Sequence, residues 1–176
     1  MGEIILISGP NDSGKSRFAE SLVQKIKGPR AYIATMISQT EENARRIEKH
    51  RQQRKNLGFK TLEIPCEVEA AAVPADGVVL LEDVSNLLAN TIFGQGEGEQ
   101  QAYRRICELA DRCYRLIAVT ISGLCPDSYE GETASYIRSL NHLNHMLLER
   151  AQSAAVMENG AAIWLKGEML CDGSNP

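Results

Sequence analysis

Short apolar runs alternate with longer amphipathic or polar stretches along the chain. Residues 3–8 read EIILIS, an isoleucine-rich run of the kind buried on both faces of a parallel sheet. The glycine-punctuated segment 9–16 leads into 17–27, where Phe18, Leu22, Val23 and Ile26 recur at helical spacing. Gly28-Pro29 stops that helix. Residues 31–35 (AYIAT) are a second predicted strand, and 41–57 a polar helix with little apolar surface beyond Ile47. Residues 59–64 alternate as a strand ended by Pro65. Asp76-Gly77 marks a turn before a buried strand over 78–81. Helices are predicted over 84–93, 100–114 and 132–153, with a strand over 116–120 and loops at 94–98 and 122–131. Asn159-Gly160 separates strands 154–158 and 161–165, as suits a type I′ hairpin. The alternation predicts an α/β fold: a mostly parallel sheet flanked by helices, with right-handed crossovers and a C-terminal β-hairpin. No repeat or linker interrupts it, so residues 1–176 read as a single domain.

Composition narrows the function classes. At 43% hydrophobic and 24% charged, the chain has an ordinary globular mix, which excludes a disordered tail, a collagen-like repeat or a coiled coil. Nineteen Lys+Arg against 23 Asp+Glu leave a net charge of −4, which gives no support for broad nucleic-acid binding. No run approaches the roughly 18 apolar residues of a membrane helix, so no membrane partner is expected. The N-terminus lacks the basic start of a signal peptide, and Leu6 stands where a myristoylation signal wants Ser or Thr. Cys66, Cys107, Cys113, Cys125 and Cys171 are odd in number and form no CxxC, which predicts free thiols in a reducing cytoplasm.

The chemistry starts at Gly9-Pro10-Asn11-Asp12-Ser13-Gly14-Lys15-Ser16, which fits the Walker A pattern G-x-x-x-x-G-K-[ST]. A buried strand precedes it and a helix follows, as a phosphate cradle requires. Backbone N–H groups and the helix N-terminus attract phosphate. Lys15 can neutralise β- and γ-phosphates, and the Ser16 hydroxyl can ligate Mg²⁺. An incidental glycine turn would have no reason to carry this flanking context. The sheet is therefore expected to be P-loop NTPase-like. Such sites need an acid at the end of a neighbouring strand. Glu82 and Asp83, after Leu80-Leu81, are the two candidates.

Other candidates are less specific. His50 lies among Arg46, Lys49, Arg51 and Arg54. Spacing alone reads as a solvated basic helix face with an incidental histidine. The alternative is a neutral, nucleophilic imidazole beside arginines that bind a triphosphate. His142 and His145 share a helix face without an evident third ligand, and Tyr136, Leu140, Leu143 and Leu147 read as core. Cys125 has no base adjacent in sequence.

Taken together, the chain resembles the bifunctional adenosylcobinamide kinase/adenosylcobinamide-phosphate guanylyltransferase family of cobalamin biosynthesis. Ser16-Arg17-Phe18-Ala19-Glu20 after the Gly-Lys is similar to that family's GKSR-x-AE. Tyr32-Ile33-Ala34-Thr35 matches its YIAT strand. Glu42, Arg46-Ile47, His50-Arg51 and Arg54 resemble its E-(x)3-RI-x-x-H-x-x-x-R segment. Phe59, Thr61, Glu63 and Pro65 resemble W-x-T-x-E-x-P with Phe for Trp, and Leu80-Leu81-Glu82 with Asn90 resembles LL(D/E)…N. These landmarks fall in the first 95 or so residues.

The resemblance implies that His50 attacks the α-phosphate of GTP and carries GMP to adenosylcobinamide phosphate. It also implies phosphorylation of the adenosylcobinamide hydroxyl by ATP or GTP with Mg²⁺. Residues 9–17, Thr35, Arg51, Arg54, Glu63 and Glu82 are then nucleotide-binding, and Ser16 and Glu82 support the metal. A homo-oligomer, a trimer in close members, is implied too. The second half departs from the pattern. Ile121-Ser122-Gly123 stands where the family has Asn-Glu-x-Gly. Of R-D-x-x-G-x-x-N-Q only Asn144 survives, with Asn141 and His145 at the glycine and glutamine positions, and Asp83 replaces a frequent Cys. Two other functions remain in view: a P-loop kinase for another small alcohol, and a nucleotide-binding regulatory protein that has lost catalysis.

Overall fold

The computed structural model describes residues 2–38 and 40–167; Cys171 lies outside them. Seven strands form one sheet: β1 (Glu3–Gly9), β2 (Arg30–Ala34), β3 (Phe59–Glu63), β4 (Val78–Glu82), β5 (Arg115–Ile121), β6 (Ser153–Glu158) and β7 (Ala161–Lys166). Their spatial order is β3-β2-β4-β5-β1-β6-β7. All neighbouring pairs are parallel except β6 with β7. The helices are α1 (Lys15–Lys25), α2 (Glu41–Arg54), α3 (Val84–Ala89), α4 (Glu99–Ala110) and α5 (Gly131–Arg150).

Alternation along the central strands explains the layering. Ile4 and Leu6 of β1 face one side, where Ile33, Leu81, Leu116 and Ala118 meet α3, α4 and α5. Ile5 and Ile7 face the other, where Leu80, Ile117 and Val119 meet Ala19, Leu22 and Val23 of α1. Each fully buried aliphatic side chain contributes about 1.5–3 kcal/mol, so these two layers hold the sheet. Helix α2 is different. Of its described side chains, only Arg54 is buried. Its ends are nevertheless well specified. Thr40 caps it by accepting a hydrogen bond from the Asn43 N–H at 3.1 Å. Glu41 and Glu42 sit in its first turn, and Arg51 and Arg54 in its last, which suits the helix dipole.

Several boundaries differ from the sequence expectation, among them α4, which stops at Ala110 rather than continuing to 114. Helix α2 stops at Arg54 rather than continuing to 57, because Gly58 turns the chain at φ 72°. Helix α5 stops at Arg150, because Ser153 is drawn into register with Ile5 of β1. Tertiary pairing overrides helix propensity there. The helix expected over 84–93 changes at Asn90–Gly94 to a π-helical turn. Short 3₁₀ turns at Val68–Ala70 and Pro126–Ser128 carried no clear sequence signal. Cys66, Cys107, Cys113 and Cys125 are free thiols. Among the described residues, no helix is long and apolar enough to cross a membrane.

Candidate nucleotide site

The C-terminal ends of β1, β4 and β2 converge on one edge of the sheet, where α/β folds bind ligands. The chain leaves β1 through Gly9, which is pressed against β6. A Cβ there would lie 2.8 Å from Ser13 Oγ and 2.9 Å from the Met157 carbonyl oxygen, so only glycine fits without a shift. The loop then exposes Pro10, Asn11, Asp12 and Gly14 and buries Ser13 and Lys15. Lys15 Nζ donates to the Pro10 carbonyl at 2.6 Å. Burial pushes the Lys15 ammonium below its ordinary pKa, opposed by the carboxylates of Asp83, Glu82 and Asp12. Arg17, in the first turn of α1, is exposed.

Of the two neighbouring acids, the geometry separates the roles. The Ser16 hydroxyl donates to Glu82 Oε1, and the Tyr32 hydroxyl donates to Glu82 Oε2 at 3.0 Å. Asp83 instead turns inward as the N-cap of α3. Its Oδ1 accepts from the Asn86 N–H at 2.7 Å and the Ser85 hydroxyl at 2.5 Å. Burial pushes the Asp83 carboxyl up from its ordinary pKa. A serine hydroxyl beside a carboxylate is the hard-oxygen donor set that Mg²⁺ takes when phosphates supply further oxygens. Ser16 and Glu82 therefore fit such an ion, and Asp83 is occupied elsewhere.

Thr35 is fully buried. Its hydroxyl donates to the Asp83 carbonyl and accepts from the Asp83 N–H, each at 2.8 Å. Asn90 Nδ2 donates to the carbonyl oxygens of Thr35 at 2.9 Å and Pro65 at 2.8 Å. These bonds fix the ends of β2 and β4 and the exit from β3 relative to one another. That accounts for Asn90 without assigning it a ligand.

Helix α2 covers the outer part of the same edge. Arg51 pairs with Glu63 at the end of β3. The Arg54 guanidinium lies 3.5 Å from the centroid of the Tyr32 ring, and its Nε and Nη1 are buried with no hydrogen-bond partner. A groove of about 490 Å³ is lined by Arg51, Arg54, Lys55, Phe59, Thr61 and Glu63. A second, of about 320 Å³, shares Arg51 and Glu63 and extends towards Ala34, Ile47 and Glu48. His50 lines neither groove; it is half-buried, and its Nδ1 is enclosed without a hydrogen-bond partner.

The structure thus gathers Lys15, Ser16 and Glu82 in one cluster and Arg51, Arg54 and Glu63 in another. Sequence reasoning missed Tyr32, which touches both. It also missed Glu20, one helical turn after Ser16. Burial and the Glu82 charge push the Glu20 carboxyl up in pKa, while Arg54 and Arg17 oppose the shift. The signals for Tyr32 were its place at the head of the YIAT resemblance and a hydroxyl-bearing ring in an otherwise aliphatic strand, neither of which assigned it a role.

The other sequence candidates have local partners. His142 Nδ1 lies 3.0 Å from Glu99 Oε1, and His145 Nε2 lies 3.4 Å from Glu149 Oε1. Asn144 accepts from the Thr120 hydroxyl at 2.7 Å and donates to the Ile121 carbonyl at 2.8 Å. It holds the end of β5, where the Ser122 N–H donates to the Gly9 carbonyl at 3.0 Å.

Residues 5–165 match the family described as cobinamide kinase / cobinamide phosphate guanyltransferase. No curated protein matches the chain. Among solved structures, the KaiC-like protein PH0186 from the hyperthermophilic archaeon Pyrococcus horikoshii OT3 aligns at 10% identity with a TM-score of 0.48. That alignment covers 94% of this chain and 80% of that one. The family match spans nearly the whole described fold, and the chain belongs to the cobinamide kinase / cobinamide phosphate guanyltransferase family, nucleotide-dependent transferases of cobalamin biosynthesis.

Proposed function

We propose that this chain phosphorylates the hydroxyl of adenosylcobinamide and then transfers GMP from GTP to the resulting phosphate through a guanylyl adduct on His50. The observation that carries this reading is the meeting of Lys15, Ser16 and Glu82 at the sheet edge, beside the arginine-bearing end of α2. Residues 9–17 cradle phosphates, and Lys15 offsets their charge. Ser16 and Glu82 hold Mg²⁺, which supplies positive charge to the phosphate oxygens. Arg54 offers two unpartnered guanidinium nitrogens to the nucleotide, and Arg51 lines both grooves beside Glu63. Thr35 acts by fixing the strand ends.

In the guanylyl step, an imidazole nitrogen of His50 attacks the α-phosphorus. A P–N bond forms, the P–O bond to the β-phosphate breaks, and pyrophosphate leaves. A phosphate oxygen of the cobinamide then attacks the same phosphorus and restores the imidazole. Covalent catalysis divides one difficult transfer into two steps. The same reading includes residues 1–176 acting as one domain in a cytoplasmic homo-oligomer, a trimer as in close family members, with no nucleic-acid or membrane partner. ATP and GTP both remain candidates for the phosphoryl donor.

The test is the intact mass of the protein after incubation with GTP and Mg²⁺, repeated with His50→Ala. A GMP-sized, acid-labile gain that vanishes in the variant supports the reading. No gain, or a gain that survives the substitution, overturns the His50 step. One observation favours a second reading, a kinase for another small alcohol: Ile121-Ser122-Gly123 ends β5 without the family's amide and carboxylate. ATP turnover with such an alcohol and no protein–GMP adduct would select it.

A further inference from the structure

Tyr32 touches both clusters. It lies on β2, facing the α1 side of the sheet, and is 3% exposed. Its hydroxyl donates to Glu82 Oε2 at 3.0 Å, while Ser16 donates to the other oxygen of the same carboxylate. Its ring face carries the Arg54 guanidinium at 3.5 Å. The ring is itself wedged edge-on against Phe59 of β3, with centroids 5.9 Å apart. Arg54 is 5% exposed and has no carboxylate within ion-pairing distance among the described residues. The aromatic face supports it directly, and the Glu20 carboxylate interacts with its charge from farther away. A guanidinium so held, with Nε and Nη1 unpartnered, is poised to meet an anion.

We infer that Tyr32 is a positioning residue that sets both phosphate-handling groups, Glu82 through its hydroxyl and Arg54 through its ring. This rests on the nucleotide reading above. The two halves of the side chain do separable jobs. The hydroxyl holds the Glu82 carboxylate in the rotamer that faces Ser16. The ring holds Arg54, and with it the last turn of α2, against β2. Because α2 has almost no apolar anchor, this stacked contact links the His50-bearing helix to the strand beneath it.

The separation gives the test. GDP affinity is measured by calorimetry with and without Mg²⁺ for the wild type, Tyr32→Phe, Tyr32→Leu and Arg54→Ala, and for the two double variants. Tyr32→Phe keeps the ring and removes the hydroxyl. It should leave Mg²⁺-free affinity within about twofold and reduce the gain in affinity on adding Mg²⁺ by about tenfold, the worth of a charge-assisted hydrogen bond. Tyr32→Leu should also weaken Mg²⁺-free binding. Arg54→Ala should then cost about tenfold in the wild-type and Tyr32→Phe backgrounds and under about twofold in Tyr32→Leu.

A Mg²⁺ response unchanged in Tyr32→Phe overturns the hydroxyl role. An Arg54→Ala effect as large in Tyr32→Leu as in wild type overturns the ring role. If Tyr32→Leu does not fold, Tyr32→Phe still decides the hydroxyl role, and Tyr32→Met, which keeps bulk without a ring face, takes the place of Tyr32→Leu in the Arg54→Ala comparison. Failure of the wild type to bind GDP at all would instead overturn the nucleotide reading.

Discussion

Ser16, in the first turn of α1, donates its hydroxyl hydrogen to Glu82, the last residue of β4, 66 positions away in sequence. That bond joins the phosphate loop to β4, which lies one strand beyond β5 from β1 in the sheet. It also distinguishes two adjacent acids. Asp83, one residue on, faces inward and caps α3. Removing one acid should therefore affect chemistry, and removing the other should affect folding.

Glu82→Gln keeps the size and an acceptor oxygen but removes the charge that Mg²⁺ needs. Phosphoryl transfer is expected to fall about 10–100-fold, the usual cost of disturbing a metal's immediate surroundings. Urea stability should change little. Asp83→Ala removes the cap and should cost about 1 kcal/mol of stability, with a smaller effect on turnover at a temperature where the protein is folded. Steady-state rates and urea midpoints of both variants check this. Equal rate losses would show that the two acids share a role.

Glu20 gives a pH-dependent prediction. Its folded pKa is raised above the ordinary 4.5, chiefly by burial and then by the Glu82 charge. For an acid shifted upward, the fold prefers the protonated form. The penalty on the wild type is therefore absent well below that ordinary value, appears as pH rises through it, and is complete above the raised folded pKa. Glu20→Gln never ionises. Its stability relative to wild type should be near zero at about pH 4 and favour the variant increasingly towards about pH 8. Urea midpoints at several pH values between those limits provide the measurement. A variant that is less stable at the alkaline end would show that the Arg54 and Arg17 charges outweigh burial.

Much of this architecture was legible from patterning. The run at the start of β1, the Walker loop and the Asn-Gly turn each combine local propensity with a tertiary role. Glu82 and Asp83 could be named but not assigned, because which acid faces Ser16 depends on the direction of the chain leaving β4. Tyr32 could be placed in the YIAT resemblance but not given a role. Its importance comes from two partners, Arg54 and Glu82, that lie far away in sequence and meet only across β2. The end of α5 was misjudged because pairing of Ser153 with β1 is a long-range preference that helix periodicity does not carry.

The C-terminal hairpin offers a local test. Asn159 and Gly160 have φ of 49° and 79°, as a type I′ turn requires at both central positions. A Cβ on Gly160 would meet nothing within 4 Å. The cost of Gly160→Ala is thus purely conformational, about 1 kcal/mol. Gly160→Asn should cost less, because asparagine tolerates the left-handed region. Because β7 carries Trp164 against Phe18 of α1, with centroids 6.2 Å apart, both losses should appear in the main unfolding transition. A separate early transition would mean that the hairpin opens by itself.

Asn144 tests why one residue of an otherwise altered segment has a clear use. Its two polar atoms serve the Thr120 hydroxyl and the Ile121 carbonyl at the end of β5. Thr120 is fully buried, so Asn144→Ala leaves a hydroxyl without its partner in a place water reaches poorly. The expected loss is about 2 kcal/mol. Thr120→Val removes the other partner. Added to Asn144→Ala, it should cost less than in the wild type, with a coupling of about 1 kcal/mol between the two sites. Since the Ser122 N–H bonds the Gly9 carbonyl just beyond this point, Asn144→Ala should also raise the KM for nucleotide. Chemical denaturation of the four proteins in the cycle measures the coupling, and additive losses would show that Asn144 stabilises α5 without holding the strand end.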